Sequence, residues 1–256
     1  MASLDELRLR EDFYALLDAD DALGKLESWI WSELCNGAES KSHPWNLASI
    51  STLQRQGNGD LVPRSRTVVL RGVDAKQRTL DFHTDRRSDK MDAFSDLNGV
   101  QAVCWLFYRH ETRLQIRIDA TAQVLSPDST RVLWDNTSDT SRGAYATIDP
   151  PGTPLETSRR TADAEENHGP DEDGGVSKGT MTRESVSFGN PQQSEIDWAS
   201  AGAASMDFEQ AERNFCVVRT SVNAVDATYL NPVGNRRLRI DYSGEVDLQK
   251  PYWVVP

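Results

Sequence analysis

The sequence predicts a mainly β protein with short helices, of the α+β class, whose antiparallel strands form a barrel. Three observations predict this class. Six or more segments have the alternation or the short apolar runs of strands, and only short helical segments lie between them. The regular β–α–β rhythm of a doubly wound fold is missing, and so is a glycine-rich phosphate loop. A nucleotide-like ligand would therefore have to be bound in another way.

The predicted elements start with a helix over residues 20–38, where leucine and isoleucine recur at helical spacing. A second helix begins at Ser88 and runs through Leu97, and a third follows Pro127 and reaches Trp134. The predicted strands share an alternating or continuous apolar pattern. They are Leu47–Leu53, Ser65–Arg71, Thr79–Thr84, Val100–Tyr108, Leu114–Leu125, Asn214–Ser221, Ala224–Leu230, Arg236–Tyr242 and Tyr252–Val255.

Two of these strands carry further information. Val100–Tyr108 is a nearly continuous apolar run, which is typical of a strand buried on both faces. Leu114–Leu125 alternates over an unusual length, so Ile116 and Ile118 are expected to face the core while Gln115 faces the other way.

The composition changes at about residues 150–207, which are rich in Pro, Gly, Ser, Thr, Asp and Glu. Such a stretch buries too little apolar area to offset the entropy lost on ordering it. We therefore expect a single domain over residues 1–256 that contains a disordered acidic insertion. The alternative is that the stretch forms a second small domain.

The composition also excludes several classes of function. A net charge of -12 argues against nucleic acid and against an anionic membrane surface as partners. Three widely spaced cysteines fit a reducing compartment, and four histidines without helical pairing predict no metal site. The chain has no apolar run of transmembrane length, and its start lacks the features of a signal peptide. We therefore expect a cytoplasmic protein.

A local basic cluster stands out against this acidic background. It forms if the strand Ser65–Arg71 pairs with Thr79–Thr84 as a hairpin and the helix after Ser88 folds back against both. Arginine and lysine side chains suit phosphate oxygens, and the start of a helix offers free backbone N–H groups. The alternative is that these residues are ordinary surface charges. The cluster consists of Arg66, Arg71, Arg86, Arg87, Ser88 and Lys90.

The motifs around this cluster resemble a known family. SRTVVLRG, FHTDRRSDK and LQIRIDATA, in this order and spacing, are similar to the FMN-binding split barrels related to pyridoxamine 5'-phosphate oxidase. GAYATIDPPGTP, RRLRIDY and YWVVP extend the resemblance more weakly, so that it covers residues 20–155 and 214–256. The resemblance implies an antiparallel split β-barrel of the FMN-binding type, with FMN as cofactor.

Residue by residue, the resemblance implies a set of cofactor contacts. Arg66 and Lys90 would bind the phosphate, and the backbone of 68–70 would run along the flavin ring. Gln115 would form a hydrogen bond with the polar edge of that ring. Family members are homodimers, so a late arginine would reach the flavin of the partner subunit. The implied cofactor-binding residues are Arg66, Thr67, Val68, Val69, Leu70, Arg71, His83, Thr84, Arg87, Ser88, Lys90, Gln115, Arg237 and Arg239.

The sequence also departs from the family pattern. Asp89 stands where the family commonly has arginine, and its charge would repel a phosphate, so Arg86 or Arg87 must compensate. The tyrosine, arginine and histidine that hold the substrate of true pyridoxamine-phosphate oxidases are absent. The aligned positions are Val132, Asn136, Thr140, Arg71 and the run Arg237-Leu238-Arg239. We therefore do not expect this protein to make pyridoxal phosphate.

The resemblance thus implies an FMN-dependent oxidoreductase that transfers a hydride between FMN and a small substrate or a reduced nicotinamide. Arg71 and Arg239 are the candidates for binding an anionic substrate, and no residue is assigned to proton transfer. The alternative function is a non-catalytic FMN-binding carrier, sensor or interaction module, because the substrate contacts are missing. A third possibility is that Asp89 abolishes flavin binding.

Overall fold

The computed structural model describes residues 13–17, 21–95, 100–154, 207–242 and 250–256. The helices are α1 (Ala22–Glu39), α2 (Asp92–Ser95), α3 (Pro127–Asp135), α4 (Asp139–Arg142) and α5 (Phe208–Asn214). The strands are β1 (Leu47–Arg55), β2 (Leu61–Asp74), β3 (Thr79–Asp85), β4 (Val100–Arg109), β5 (Leu114–Val124), β6 (Phe215–Tyr229), β7 (Arg236–Asp241) and β8 (Tyr252–Val254).

The eight strands form one antiparallel sheet in the order β3-β2-β1-β4-β5-β6-β7-β8. An additional pairing between β3 and β6 closes the first six strands into a ring. β6 has two halves with different partners: residues 215–221 pair with β3, and residues 224–229 pair with β7. The first half therefore closes the barrel, and the second half carries β7 and β8 away from it.

The barrel interior is filled by side chains that alternate along the strands. Val103, Trp105 and Phe107 of β4 and Ile116 and Ile118 of β5 are all buried. Full burial of one such side chain contributes about 1.5–3 kcal/mol, so this alternation fixes which face of each strand points inward.

The helix α1 packs against β2. Leu26, Ile30 and Leu34, which recur at helical spacing in the predicted helix, are buried. Near the helix end, Gly37 permits a close approach, because a Cβ there would lie 3.2 Å from backbone atoms of Trp45. The helix therefore ends in tight contact with the segment that leads into β1.

Val100–Tyr108 forms a strand as predicted, but the expectation that both of its faces are buried is wrong. Alternate residues of β4 face outward, so Leu106 is 40% exposed and Tyr108 47% exposed. The run is continuously apolar, but only its inward side packs into the barrel. The outer face of β4 therefore presents large apolar side chains to the surface.

Three other element predictions need correction. Asn214–Ser221 and Ala224–Leu230 belong to one strand, β6, because β5 pairs with residues 218–229 and so spans the predicted break between them. The helix predicted from Ser88 is a short 3-10 turn, Asp89–Met91, followed by α2, and residues 96–99 lie outside the described part of the chain.

The predicted insertion lies outside the described residues except for its two ends, residues 150–154 and 207. Among the helices that the structure describes, none has the length and the hydropathy needed to cross a membrane.

Candidate functional site

A cleft of about 510 Å³ opens where β1 and β2 meet the turn that follows β3. Three segments that are far apart in the sequence form its walls. The lining residues are Gln54 of β1, Arg64, Ser65 and Arg66 of β2, Ser88, Asp89 and Lys90 of the turn, and Pro151 and Gly152.

Arg66 reaches the cleft because of its position on β2. It lies on the same strand face as Val68 and Leu70, which are buried in the barrel, but it is nearer to the barrel end. Its Nη1 donates a hydrogen bond to Thr52 Oγ1 at 3.0 Å. Burial, and then the neighbouring charge of Arg64, lower the pKa of Arg66 below its usual range. This guanidinium is thus partly desolvated without a carboxylate partner among the described residues.

Lys90 enters the same cleft from the other wall. Its Nζ donates to Thr84 Oγ1 at 2.8 Å, and Thr84 is buried on β3. Burial, and then the charge of Arg66, lower the pKa of Lys90, while Asp85 and Asp89 act in the opposite direction. Arg66 and Lys90 are each destabilised by burial and by a neighbouring arginine, and a bound anion would stabilise both. The residues present therefore fit a phosphate group at this place.

Ser88 and Asp89 complete this wall. Ser88 is buried, and its Oγ donates to the carbonyl oxygen of Asp85 at 2.9 Å. Gly152 lies opposite, with φ of 95°, a left-handed conformation that side-chain-bearing residues rarely adopt; a Cβ there would be 3.7 Å from Asp89 Oδ2. Asp89 is the only acidic residue among the described residues that line the cleft.

Arg87 has a different environment from the one expected. Its Nη2 donates to Asp85 Oδ2 at 2.7 Å and to the Thr147 carbonyl oxygen at 3.1 Å, and its Nη1 donates to the Ile148 carbonyl oxygen at 2.9 Å. Arg86 donates to the carbonyl oxygen of Phe215 at 3.1 Å. Neither arginine lines the cleft. Arg87 instead holds the segment that supplies Pro151 and Gly152.

A second group of predicted residues lies on the outer side of β2 and β3. The His83 ring packs against Phe215 with 4.8 Å between ring centroids, and Tyr145 packs against the same ring at 5.1 Å. Burial, and then the charge of Arg71, lower the pKa of His83 to about 4, so its imidazole is neutral at pH 7. Thr67 and Val69 share this strand face with Arg71.

Gln115, Arg237 and Arg239 lie elsewhere. Gln115 alternates with the buried Ile116 and so projects from the outer face of β5, whereas Arg66 projects inward from β2. Arg237 Nε donates to Asp226 Oδ1 at 2.9 Å, and Arg239 Nε donates to Asp241 Oδ1 at 3.0 Å. Within one chain, these three residues do not share a cleft with Arg66 and Lys90.

The sequence prediction missed Gln54, Arg64, Pro151 and Gly152. Arg64 could have been found, because it lies two residues before Arg66 and strand alternation places both on one face. Pro151 and Gly152 belong to a motif of the weaker resemblance, but nothing local in the sequence showed that this segment returns to β2. A larger groove of about 660 Å³ lies between α3 and α5, and none of the predicted cofactor-binding residues lines it.

The comparison with known families bears directly on this cleft. Residues 28–126 match the family described as pyridoxamine 5'-phosphate oxidase, FMN-binding domain. This segment of the chain is thus similar to the pyridoxamine 5'-phosphate oxidase-like FMN-binding domain family. This match confirms the resemblance inferred from the motifs. No curated protein is similar enough in sequence to match the chain.

Two solved structures have the fold of this pyridoxamine 5'-phosphate oxidase-like domain. One is a pyridoxamine 5'-phosphate oxidase-related, FMN-binding protein from Nostoc punctiforme PCC 73102, with 18% identity, a TM-score of 0.54, and coverage of 89% of this chain and 96% of that chain. The other is PhzG from Burkholderia lata 383 in complex with tetrahydrophenazine-1-carboxylic acid, with 16% identity, a TM-score of 0.52, and coverage of 94% and 96%. At these identities the likeness shows the fold, and it confirms the predicted split barrel.

Proposed function

We propose that this protein binds FMN with the phosphate between Arg66 and Lys90 and acts as an FMN-dependent oxidoreductase. The observation that carries the proposal is the pair of cations itself. The two cations come from different elements but line one cleft. Burial lowers the pKa of both, and the charge of Arg66 lowers that of Lys90 further. The cleft lies in a domain that matches a family named for FMN binding.

The residues of this chain would position the cofactor. Arg66 and Lys90 would hold its phosphate, and Thr84 would orient the Lys90 ammonium through their hydrogen bond. The backbone of 68–70 continues from Arg66 along β2 and would run beside the ring. When bound, FMN supplies the capacity to accept and donate a hydride.

Arg71 is the better candidate for an anionic substrate. Arg237 and Arg239 are already paired with Asp226 and Asp241, whereas no carboxylate among the described residues pairs with Arg71. Moving the Arg237 guanidinium to a substrate would cost its buried partner, Asp226, one of its ion pairs and leave Arg117 to compensate that carboxylate. The proposed substrate is therefore a small anionic molecule that is bound near Arg71 and the neutral His83.

We also propose that the protein is a homodimer. Leu106 and Tyr108 are exposed on the outer face of β4, and Leu47 of the neighbouring β1 is 58% exposed. Gln115 and Arg237 lie on the same outer side, so a second copy docked there could bring them to the cleft of its partner. Tyr108→Glu should convert the dimer to a monomer in light scattering; a protein that is already monomeric would refute the arrangement.

Cofactor binding is tested by titrating the flavin-free protein with riboflavin and with FMN. FMN should bind more tightly, and Arg66→Met or Lys90→Met should each weaken FMN binding by about 1.5–3 kcal/mol, roughly 10- to 100-fold, while leaving riboflavin binding nearly unchanged. Arg131→Met is the matched control, because this side chain is 75% exposed and lines a different groove. Equal affinities for riboflavin and FMN would refute the phosphate site.

Turnover is tested separately on the flavin-loaded protein. Anaerobic reduction of the bound flavin by an amine, alcohol or reduced nicotinamide, followed by re-oxidation in air, supports the oxidoreductase. A bound flavin that no donor reduces supports the alternative, a carrier or sensor, which the occupied Arg237 and Arg239 favour.

A further inference from the structure

Three polar side chains meet on the outer side of β2 and β3. The rings of His83 and Tyr145 both pack against Phe215, with 4.8 Å and 5.1 Å between ring centroids, and the charge of Arg71 acts on the pKa of each. None of these three polar side chains forms a hydrogen bond with a residue that the structure describes. Since polar groups with little exposure usually have a partner, this cluster is suited to a ligand.

The position of Arg71 comes from an irregularity in the sheet. The register of β2 on β3 shifts between the pairs Leu70–Phe82 and Gly72–Asp81, and Arg71 is the extra residue at this bulge. A bulge re-aims the side chain of its extra residue, and bulges are frequent next to active sites. Arg71 is half-buried, and no carboxylate among the described residues pairs with it. Its guanidinium is therefore available to an anion from outside the chain.

His83 lies beside the strand that is proposed to carry the flavin ring. Leu70 and Phe82 pair across β2 and β3, and both are buried in the barrel. Because side chains alternate along a strand, Val69 and His83 follow them on the outer face. Side chains that neighbour each other across a strand pair have Cβ atoms about 4.5–5.5 Å apart. The His83 imidazole is thus adjacent to the place of the ring, and Arg71 is the next outward residue of β2.

The surroundings of His83 keep its imidazole uncharged. Burial, and then the charge of Arg71, lower the pKa of His83 to about 4, so a ring nitrogen can accept a proton at pH 7. Burial raises the pKa of Tyr145 to about 12, Asp85 is paired with Arg87 at 2.7 Å, and β6 presents an apolar residue opposite the imidazole. An anion at Arg71 would offset the charge of that guanidinium and raise the proton affinity of His83.

This environment favours a hydroxy acid over an amine as the substrate. Burial and the charge of Arg71 disfavour a positive charge on His83, and they disfavour a substrate ammonium group for the same reason. A carboxylate matches the planar fork of Arg71. A hydroxyl group on the next carbon is uncharged and can donate a hydrogen bond to a neutral imidazole. A small 2-hydroxy acid carries both groups.

We propose that His83 is the proton acceptor of this site and that the substrate is a small 2-hydroxy acid whose carboxylate is bound by Arg71. The proposal rests on the proposed function and names its substrate class. The carbon–hydrogen bond of the substrate breaks, and its hydrogen passes to FMN as a hydride with the electron pair. The proton of the hydroxyl group moves to a ring nitrogen of His83, a carbon–oxygen double bond forms, and the product is a 2-oxo acid. The imidazolium then releases its proton to solvent.

Anaerobic flavin-reduction kinetics of the FMN-loaded protein test this assignment. Glycolate, lactate or mandelate should reduce the bound flavin, and their amino counterparts glycine, alanine and phenylglycine should not. His83→Gln should lower the limiting rate by about 100-fold or more, the contribution of a general base, and leave the half-saturating acid concentration nearly unchanged. Arg71→Met should instead raise that concentration by about 10- to 100-fold.

Two further variants separate proton transfer from packing. His83→Phe keeps an aromatic ring against Phe215 and should lose the rate as His83→Gln does. His110 is exposed in the turn between β4 and β5, so His110→Gln is the matched control and should leave the rate unchanged. NMR titration of the His83 imidazole in the flavin-free protein gives a readout without turnover. The pKa should be higher in Arg71→Met than in the native protein, and Arg71→Lys should keep it low.

The outcomes separate this proposal from the proposed function. A native reduction rate in His83→Phe would overturn the proton-transfer role, and an unchanged pKa of His83 in Arg71→Met would overturn its coupling to Arg71. Reduction by an amine or a reduced nicotinamide, but by none of the hydroxy acids, would overturn the substrate class and leave the proposed function intact. Failure of FMN to bind, or a bound flavin that no donor reduces, would overturn the proposed function and this assignment with it.

Discussion

Replacing Arg87 by methionine should detach residues 147–148 from the end of β3. The Arg87 guanidinium bridges Asp85, which is buried, and the carbonyl oxygens of Thr147 and Ile148. Methionine retains much of the aliphatic volume but none of the donors. The substitution therefore removes the ion pair and the contact with a segment that lies 61 residues further along the chain.

The expected loss of stability follows from the burial of the ion pair. Breaking a buried ion pair from one side costs about 3–5 kcal/mol. Arg87 is 21% exposed, and Asp85 Oδ1 still accepts the backbone N–H of Arg87 at 2.8 Å, so we expect about 2–4 kcal/mol here. For a chain of this size, that loss corresponds to a decrease of about 5–10 °C in melting temperature.

A double-mutant cycle checks the mechanism. Asp85→Asn and Arg87→Met should each destabilise the protein, and the double mutant should be about 1–3 kcal/mol more stable than the sum of the two single effects predicts. Hydrogen-exchange mass spectrometry should show faster exchange at residues 146–154 in Arg87→Met than in the native protein. Additive single effects, within about 0.5 kcal/mol, would refute the proposed bridge.

Three further predictions concern groups outside the cleft. Burial alone would raise the pKa of Asp226, but the hydrogen bond from Arg237 and the charges of three nearby arginines together outweigh burial and hold the pKa below the usual value. In urea titrations, native stability should therefore fall below about pH 4 more steeply than that of Asp226→Asn. Trp31 Nε1 donates to Tyr242 Oη at 3.0 Å, so Tyr242→Phe should cost about 1–3 kcal/mol, measured as a lower urea midpoint. Because the pKa of His83 is about 4 in the folded protein and 6.5 in the unfolded chain, stability should fall as the pH drops from 6.5 to 4, and His83→Phe should reduce that fall.

The sequence predicted the strands well because their signal is local. The alternation of Ile116 and Ile118 with polar residues depends only on neighbours in the chain, and both side chains are buried as expected. The same local signal misjudged Val100–Tyr108, since an apolar side chain can face either a core or a surface. The local pattern therefore predicts that a strand forms, but it does not predict whether the second face of that strand is buried.

The candidate site was only partly predictable because it is formed by long-range contacts. Arg66 and Lys90 were found through motifs, and the structure places both in one cleft. The motif makes Arg87 equally suited to a phosphate, but its partners Thr147 and Ile148 belong to a segment that follows two more strands and three helices. No spacing rule within residues 82–90 distinguishes an arginine that binds a ligand from one that fixes a distant segment.

The opposite orientations of Arg66 and Gln115 lead to a last prediction. A flavin site that uses both residues must take them from two chains, because one points inward from β2 and the other outward from β5. Mixing Arg66→Met with Gln115→Ala subunits, after dissociation and reassociation, would then give heterodimers in which one site carries both substitutions and the other carries neither. Random pairing should restore about a quarter of the sites to native FMN affinity. A mixture that contains no native-affinity sites would show that the two residues do not meet across an interface.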